Sequence, residues 1–100
     1  MIFDSPTVQK YIVSGANVVA TIRRKGYYRV GKRVIVKVGD KRFYGKVIAI
    51  APLAPFSLSE YADYSGFQNV EEWIMEAERL HKARLDPNKF EIVVVEVTHQ

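Results

Sequence analysis

Seven consecutive residues, Arg23-Arg24-Lys25-Gly26-Tyr27-Tyr28-Arg29, interleave four cations with two flat rings. Cations attract phosphate and exposed rings stack on unpaired bases, so this mixture suits recognition of a single-stranded nucleic acid. Lys32 and Arg33 carry the basic run past Gly31. Thr21 and Arg23 stand two positions apart, so both fall on one face of a strand. A hydroxyl beside a planar guanidinium fork suits a phosphate or a base edge. The structural alternative for Arg23 is a carboxylate partner such as Glu60 or Asp63. Further along, Tyr61, Tyr64, Ser65 and Phe67 surround a turn. Rings there wall a pocket for a flat ligand or, the commoner arrangement, seat a helix on a barrel.

Other chemistry is sparse. The chain has no cysteine, which removes disulfides, thiolate nucleophiles and thiolate metal sites together. His81 and His99 have no second histidine or cysteine at ligand spacing, so no metal site is expected. No triad pattern places a serine beside either. Gly31-Lys32 lacks the upstream glycine and the following hydroxyl of a phosphate-binding loop. No cofactor is expected, and no catalytic residue is assigned.

Charge is unevenly distributed. The chain carries +4, yet residues 21–46 hold ten basic side chains and one acid, Asp40, while the remainder holds five basic and ten acidic. Such asymmetry points to a polyanion partner. The plainer alternative is a solvated strand pair whose lysines protect its edges. One hundred residues, 48% apolar and 26% charged, make one domain, 1–100, with a modest core. Met1 to Pro6 shows no basic region leading into an apolar run, so no signal peptide is expected. No stretch approaches the ~18 apolar residues of a membrane span. A cytoplasmic, membrane-free location with RNA or a nucleotide-like ligand as partner is the expectation, and the lack of cysteine fits a reducing compartment.

The elements that must position these groups follow from pattern. Ser5-Pro6 opens a short helix, with Val8, Tyr11 and Ile12 on one face and Gly15 at its end. Val18 to Arg23 reads as a strand, with Val19, Thr21 and Arg23 on one face. The basic loop Arg24 to Lys32 leads to a strand from Arg33 to Val38, with Val34, Val36 and Val38 inward. Gly39-Asp40 is a turn signal. A third strand runs from Arg42 to about Ala51, where Gly45 suggests a bulge or a close backbone approach. Pro52 and Pro55 end it. Ser57 and Glu60 have the spacing of a capping box, which predicts a short helix ending near Gly66. Asn69 caps the longest helix, Val70 to about Leu85, whose apolar stripe is Val70, Trp73, Ile74, Ala77, Leu80 and His81. After the stop Asp86-Pro87-Asn88, Phe90 to Thr98 forms a strand apolar on both faces, hence central. The class is α+β, and its long, twisted middle hairpin suits a small barrel.

Several stretches together resemble the ASCH (activating signal cointegrator homology) domain of the PUA-like superfamily. They are Ser14-Gly15 through Arg23, Tyr28 to Lys32, Phe43-Tyr44-Gly45-Lys46-Val47, Gly66-Phe67, Glu71-Glu72-Trp73 and the strand from Phe90, covering residues 8–98. The resemblance implies a PUA-like, partly open β-barrel with flanking helices. Thr21 matches the second threonine of the family motif and Arg23 its arginine. Val19 stands at the first threonine, and Asn17 and Val18 at its basic pair. Some members resemble amidohydrolases of acylated cytidines that use a lysine, a threonine and a glutamate. Here the lysine position is Val18, and the glutamate position falls near Ser65, two residues from Asp63. A threonine without its lysine lacks an activating base. The expected function is therefore binding of RNA or a modified nucleotide. Thr21, Arg23, Arg24, Lys25, Tyr27, Tyr28, Arg29, Lys32 and Arg33 would form one side of the site, with Tyr61, Tyr64 and Ser65 across a cleft. The alternatives are a small nucleoside amidohydrolase or ribonuclease of ASCH type, and a protein-interaction module for an acidic partner.

Overall fold

The apolar run at the centre of Phe90–Thr98 organises the molecule. In the computed structural model, which describes residues 1–99, this strand, β4, lies between β1 (Val18–Arg24) and β3 (Lys41–Pro52). β3 in turn pairs with β2 (Arg33–Val38), so the order is β1-β4-β3-β2 and every ladder is antiparallel. The central placement expected for this strand is found. Val93, Val95 and Val97 pack with Val19, Val36, Val47 and with Val8 and Ile12 of helix α1 (Pro6–Val13). Phe90, Ile92 and Val94 pack on the opposite face with Leu58 of α2 (Pro55–Tyr61) and with Trp73 and Ala77 of α3 (Val70–His81). β-branched side chains fit a pleated surface covered on both sides.

The sheet is open and does not close into the barrel expected from the sequence. Its two edges come closest through the N-terminal segment. The Phe3 N–H donates to the Lys37 carbonyl (3.0 Å), and the Lys37 N–H donates to the Met1 carbonyl (2.8 Å). Ile2 thereby makes one parallel bridge to Lys37 on β2, and its carbonyl accepts from Arg23 of β1 (2.8 Å). One bridge and one side-chain hydrogen bond replace a continuous ladder. The first five residues lack the alternating run that would let them form a full strand.

Local signals were overruled at three places. Ser57 and Glu60 do not form a capping box: Pro55 sits at the first helical position after Ala54, and α2 begins there, with a 3₁₀ turn at Ala62–Tyr64 after it. Proline's fixed φ and missing N–H suit that position, which leaves Ser57 inside the helix and buried. α3 stops at His81, earlier than Leu85, because Lys82 turns left-handed at φ 54°. Leu80, expected on the buried stripe, is 41% exposed and lines the cleft described below. The Asn69 cap is present, its side chain accepting from the Glu72 N–H at 2.9 Å. Ser5 precedes α1 as expected, but its hydroxyl donates to Glu76 (2.8 Å) instead of capping.

Gly45 marks a close approach, not a bulge. A Cβ there would stand 2.9 Å from a Val95 methyl and 3.0 Å from a Val36 methyl. The bulge falls next to it, between Val47 and Ala49. The extra residue, Ile48, lets Val47 face the first core and Ala49 the second.

Candidate ligand cleft and basic hairpin

β1 is an edge strand, so one row of its backbone groups has no strand partner. α1 and α3 cover the ends of that row. The Tyr11 hydroxyl donates to the Val18 carbonyl (3.0 Å), and His81 Nε2 lies 3.1 Å from the Ile22 carbonyl, where it must donate. His81 also packs edge-on against Phe90, ring centroids 4.9 Å apart. Burial raises the Tyr11 pKa above its ordinary value, with Tyr64 and Asp63 acting in the same direction. The hydroxyl therefore keeps its proton and its donor role.

Between these caps a cleft of about 270 Å³ opens along the β1 edge. Its floor is Ala20 to Arg23. One wall is the N-terminal segment with Asp4 and Ser5; the other is Ser65, Phe67 and the α3 residues Trp73, Glu76 and His81. Thr21 and Arg23, expected on one strand face, are together there. Arg23 Nε donates to Thr21 Oγ1 (3.1 Å) and Nη2 donates to the Ile2 carbonyl (2.8 Å). The guanidinium lies 4.8 Å from the centroid of the Phe3 ring, within cation–π range. Burial pulls its pKa below the usual value, while Tyr28 and Asp4 push the other way. The carboxylate partner weighed from sequence is not made: among the described residues the one ion pair is Arg79–Glu76. Arg23 thus presents N–H donors with no protein acceptor beside a cleft.

Other parts of the cleft are already engaged. The Ser65 hydroxyl, 1% exposed, donates to the Ala62 carbonyl (2.6 Å) and accepts from the Phe67 N–H (3.1 Å). Glu76 receives the Ser5 and Arg79 hydrogen bonds, and its pKa is lowered, first by Arg79 and then by Ser5, against a desolvation that raises it. Tyr61 and Tyr64 do not line the cleft. Tyr61 packs on the second core, the helix-seating role, and Tyr64 is 43% exposed outside. The hydrogen-bond partner of Thr21 is a guanidinium, which cannot accept a proton, so this hydroxyl has no activating base.

The loop after β1 is folded back on β3. The Gly31 N–H donates to the Val47 carbonyl (2.8 Å), and the Val47 N–H donates to the Lys32 carbonyl (2.9 Å). Lys32 Nζ donates to the Tyr27 carbonyl (2.9 Å) and lies 5.2 Å from the Tyr28 ring. Residues 26–32 line a shallow concavity. Tyr28 is half-buried against the first core, whereas Tyr27 stands 67% exposed, available for stacking. Lys25, Arg29 and Arg33 are exposed. Arg24 is exposed too, its guanidinium 4.9 Å from the Phe90 ring.

Sequence reasoning missed three parts of this surface. The N-terminal wall leaves no periodic signal. Glu76 and His81 read as parts of a helix. Tyr44, 67% exposed beside Ile35 and surrounded by cations, reads from the sequence only as part of a strand. The inward pattern Val34, Val36, Val38, carried across the Gly39-Asp40 turn, would have set it outward.

The class defined by these observations is a small α+β domain with a mixed-charge cleft beside a basic hairpin. No family model matches the chain, and no solved structure matches it. The chain is 57% identical over 95 residues to Uncharacterized protein 105 of Sulfolobus islandicus rod-shaped virus 1, covering 95% of this chain and 90% of the viral protein. It belongs to the family of that viral protein. No helix is long and apolar enough to cross a membrane, and among the described residues no cluster of three or more His, Asp or Glu side chains could hold a metal ion.

Proposed function

We propose that the chain is a cytoplasmic module that binds single-stranded RNA or a modified nucleotide. A base or sugar enters the cleft at Arg23, and phosphates lie on the basic loop and hairpin. The observation that carries this reading is the Arg23 guanidinium, largely withdrawn from solvent, in no ion pair among the described residues, and lining a cleft. Asp4 and Glu76 line the same cleft and would repel a phosphate there. A neutral heterocycle, with donors for the carboxylates and acceptors for Arg23, suits this mixed lining better. A cleft of about 270 Å³ falls just below the usual ~300–1,000 Å³ of drug-sized pockets, a size for one base and not for a longer segment. Phosphate-seeking charge sits outside it, on Lys25, Arg29, Lys32 and Arg33. The resemblance of the sequence to the ASCH domain, which implies binding of RNA or a modified nucleotide, supports this reading.

The test is fluorescence anisotropy with a labelled single-stranded RNA across a salt series. Wild-type affinity should fall with salt by about 0.7 logarithmic units per phosphate contacted for each decade of salt. Arg23→Ala should weaken binding at least tenfold, since a charge-assisted hydrogen bond contributes about 1.5–3 kcal/mol and 1.4 kcal/mol is tenfold. Arg23→Lys keeps the charge but loses the fork. It controls for the anchoring of Ile2 and should bind weakly while melting close to wild type. Undiminished affinity in both variants would remove the cleft from the binding site.

A further inference from the structure

The β2–β3 ladder places side chains in a definite pattern on its solvent face. Val34, Val36 and Val38 point into the core, so Arg33, Ile35 and Lys37 point out. Their cross-strand partners are Lys46, Tyr44 and Arg42. The result is three rows: Arg33 opposite Lys46, Ile35 opposite Tyr44, and Lys37 opposite Arg42. Like charges directly opposite one another destabilise an antiparallel pair, and this hairpin has two such pairs on one face. Glu96, the β4 partner of Lys46, borders them, and among the described residues it forms no ion pair. Between the cation rows the surface is apolar: Ile35 is 39% and Tyr44 67% exposed, with Thr98 next across the sheet. Alternation along β3 sets Tyr44 outward, while Gly45 beside it faces the core, where Val34, Val36 and Val95 close up against its backbone.

We propose that this outer face is a stacking platform for one base of a single-stranded RNA, with Tyr44 as the stacking ring and the flanking cation pairs holding the phosphates on either side. The inference rests on the RNA-binding reading above and adds to it a second contact, on a different face from the cleft. Charge complementarity selects the occupant. A strand rises about 3.3 Å per residue, so each cation row lies about 6.6 Å from the Tyr44 row and the two rows about 13 Å from each other. An anionic chain laid along the hairpin relieves both repulsive pairs while its base covers the exposed ring. An acidic peptide would meet the cations but supplies no flat group for Tyr44.

The experiment titrates a labelled single-stranded RNA of about 12 nucleotides, within the usual site sizes for such folds, and an abasic phosphodiester strand of equal length. Proteins are wild type, Tyr44→Ala, Tyr44→Phe, Arg42→Gln and Arg23→Ala. Stacked bases are worth enough that Tyr44→Ala should weaken RNA binding about five- to a hundredfold, with Tyr44→Phe near wild type and abasic binding unchanged. Arg42→Gln should make the salt slope shallower by about 0.7. If Tyr44→Ala binds RNA like wild type while Arg23→Ala is weakened, the platform is wrong and the cleft stands. Equal losses on RNA and abasic strand, or equal displacement by poly-glutamate, overturn stacking and point to an acidic protein partner. Absence of wild-type binding at low salt overturns the functional reading and the platform together.

Discussion

Replacing Gly45 by alanine adds one methyl group at the most crowded point under the hairpin. The new Cβ would lie 2.9 Å from Val95 Cγ1, 3.0 Å from Val36 Cγ2 and 3.2 Å from Val34 Cγ2. Carbon atoms prefer about 3.5–4.0 Å, so three contacts are each short by roughly 0.3–1 Å. None of the three valines can step aside cheaply. Val36 and Val95 are fully buried, Val34 nearly so, and valine is stiff at χ1. Overpacking of this kind costs about 1–3 kcal/mol. At about 4–8 °C per kcal/mol for a domain of this size, the melting temperature should fall by about 5–20 °C. Urea denaturation and thermal melts measure both quantities. Val95→Ala removes the nearest methyl, so Gly45→Ala should cost at least about 0.5 kcal/mol less in that background, beyond the error of additivity for independent sites. A loss below about 0.5 kcal/mol for Gly45→Ala alone, or strict additivity in the double variant, would refute the packing argument.

Two further outcomes concern stability. Glu76→Gln should change the acid limb of the stability curve. The folded-state pKa of Glu76 is depressed, so its contribution is full above the unfolded value of about 4.5 and is lost as pH falls through the lower folded value. Wild type should exceed the variant in melting temperature at pH 7, and the gap should close below about pH 4.5; a gap constant down to pH 3 would contradict the Ser5 and Arg79 contacts. Lys82→Gly should raise stability by about 0.5–1 kcal/mol, because Lys82 holds a left-handed conformation that disfavours a side chain. Unchanged or lower melting would show that the Lys82 side chain contributes more than its backbone loses.

Periodicity made some of this visible in advance and hid the rest. Ile92 to Val95 leave no polar face, so the position of β4 between two strands was legible. The two-residue spacing of Thr21 and Arg23 settled their common face, and Asn69 announced α3. Three errors share a cause: a local signal met a competing constraint absent from its own window. Ser57 and Glu60 have capping spacing, but Pro55 had already started the helix. Lys82 ends α3 without the glycine that usually marks such a turn. Tyr61 and Tyr64 read as a far wall of the cleft, yet Tyr61 packs on the second core and Tyr64 lies outside the cleft lining. The cleft itself was half legible. Its β1 floor and Ser65 were identified, whereas the wall made by Asp4 and Ser5 depends on a single bridge between Ile2 and Lys37, which leaves no pattern in the sequence. Arg23 bonds to Thr21 and the Ile2 carbonyl instead of a carboxylate, an arrangement set by the N-terminal segment and visible only in three dimensions.

The strand order also governs how the chain can fold while it is being synthesised. β4 joins β1 to β3, yet residue pairs such as Val18 and Glu96 lie 78 positions apart. Until residues 90–98 leave the ribosome, the β2–β3 hairpin and β1 have no strand between them, and Val19, Ile22 and Val47 lack the β4 side chains that complete their cores. The early chain is limited to one local hairpin and short helices, and closing so long a loop makes the final pairing slow. During that interval two unpaired edges are open to other nascent chains. The dense positive charge on the hairpin, which hinders cationic chains from associating edge to edge, would then protect the molecule during translation as well as serve its ligand.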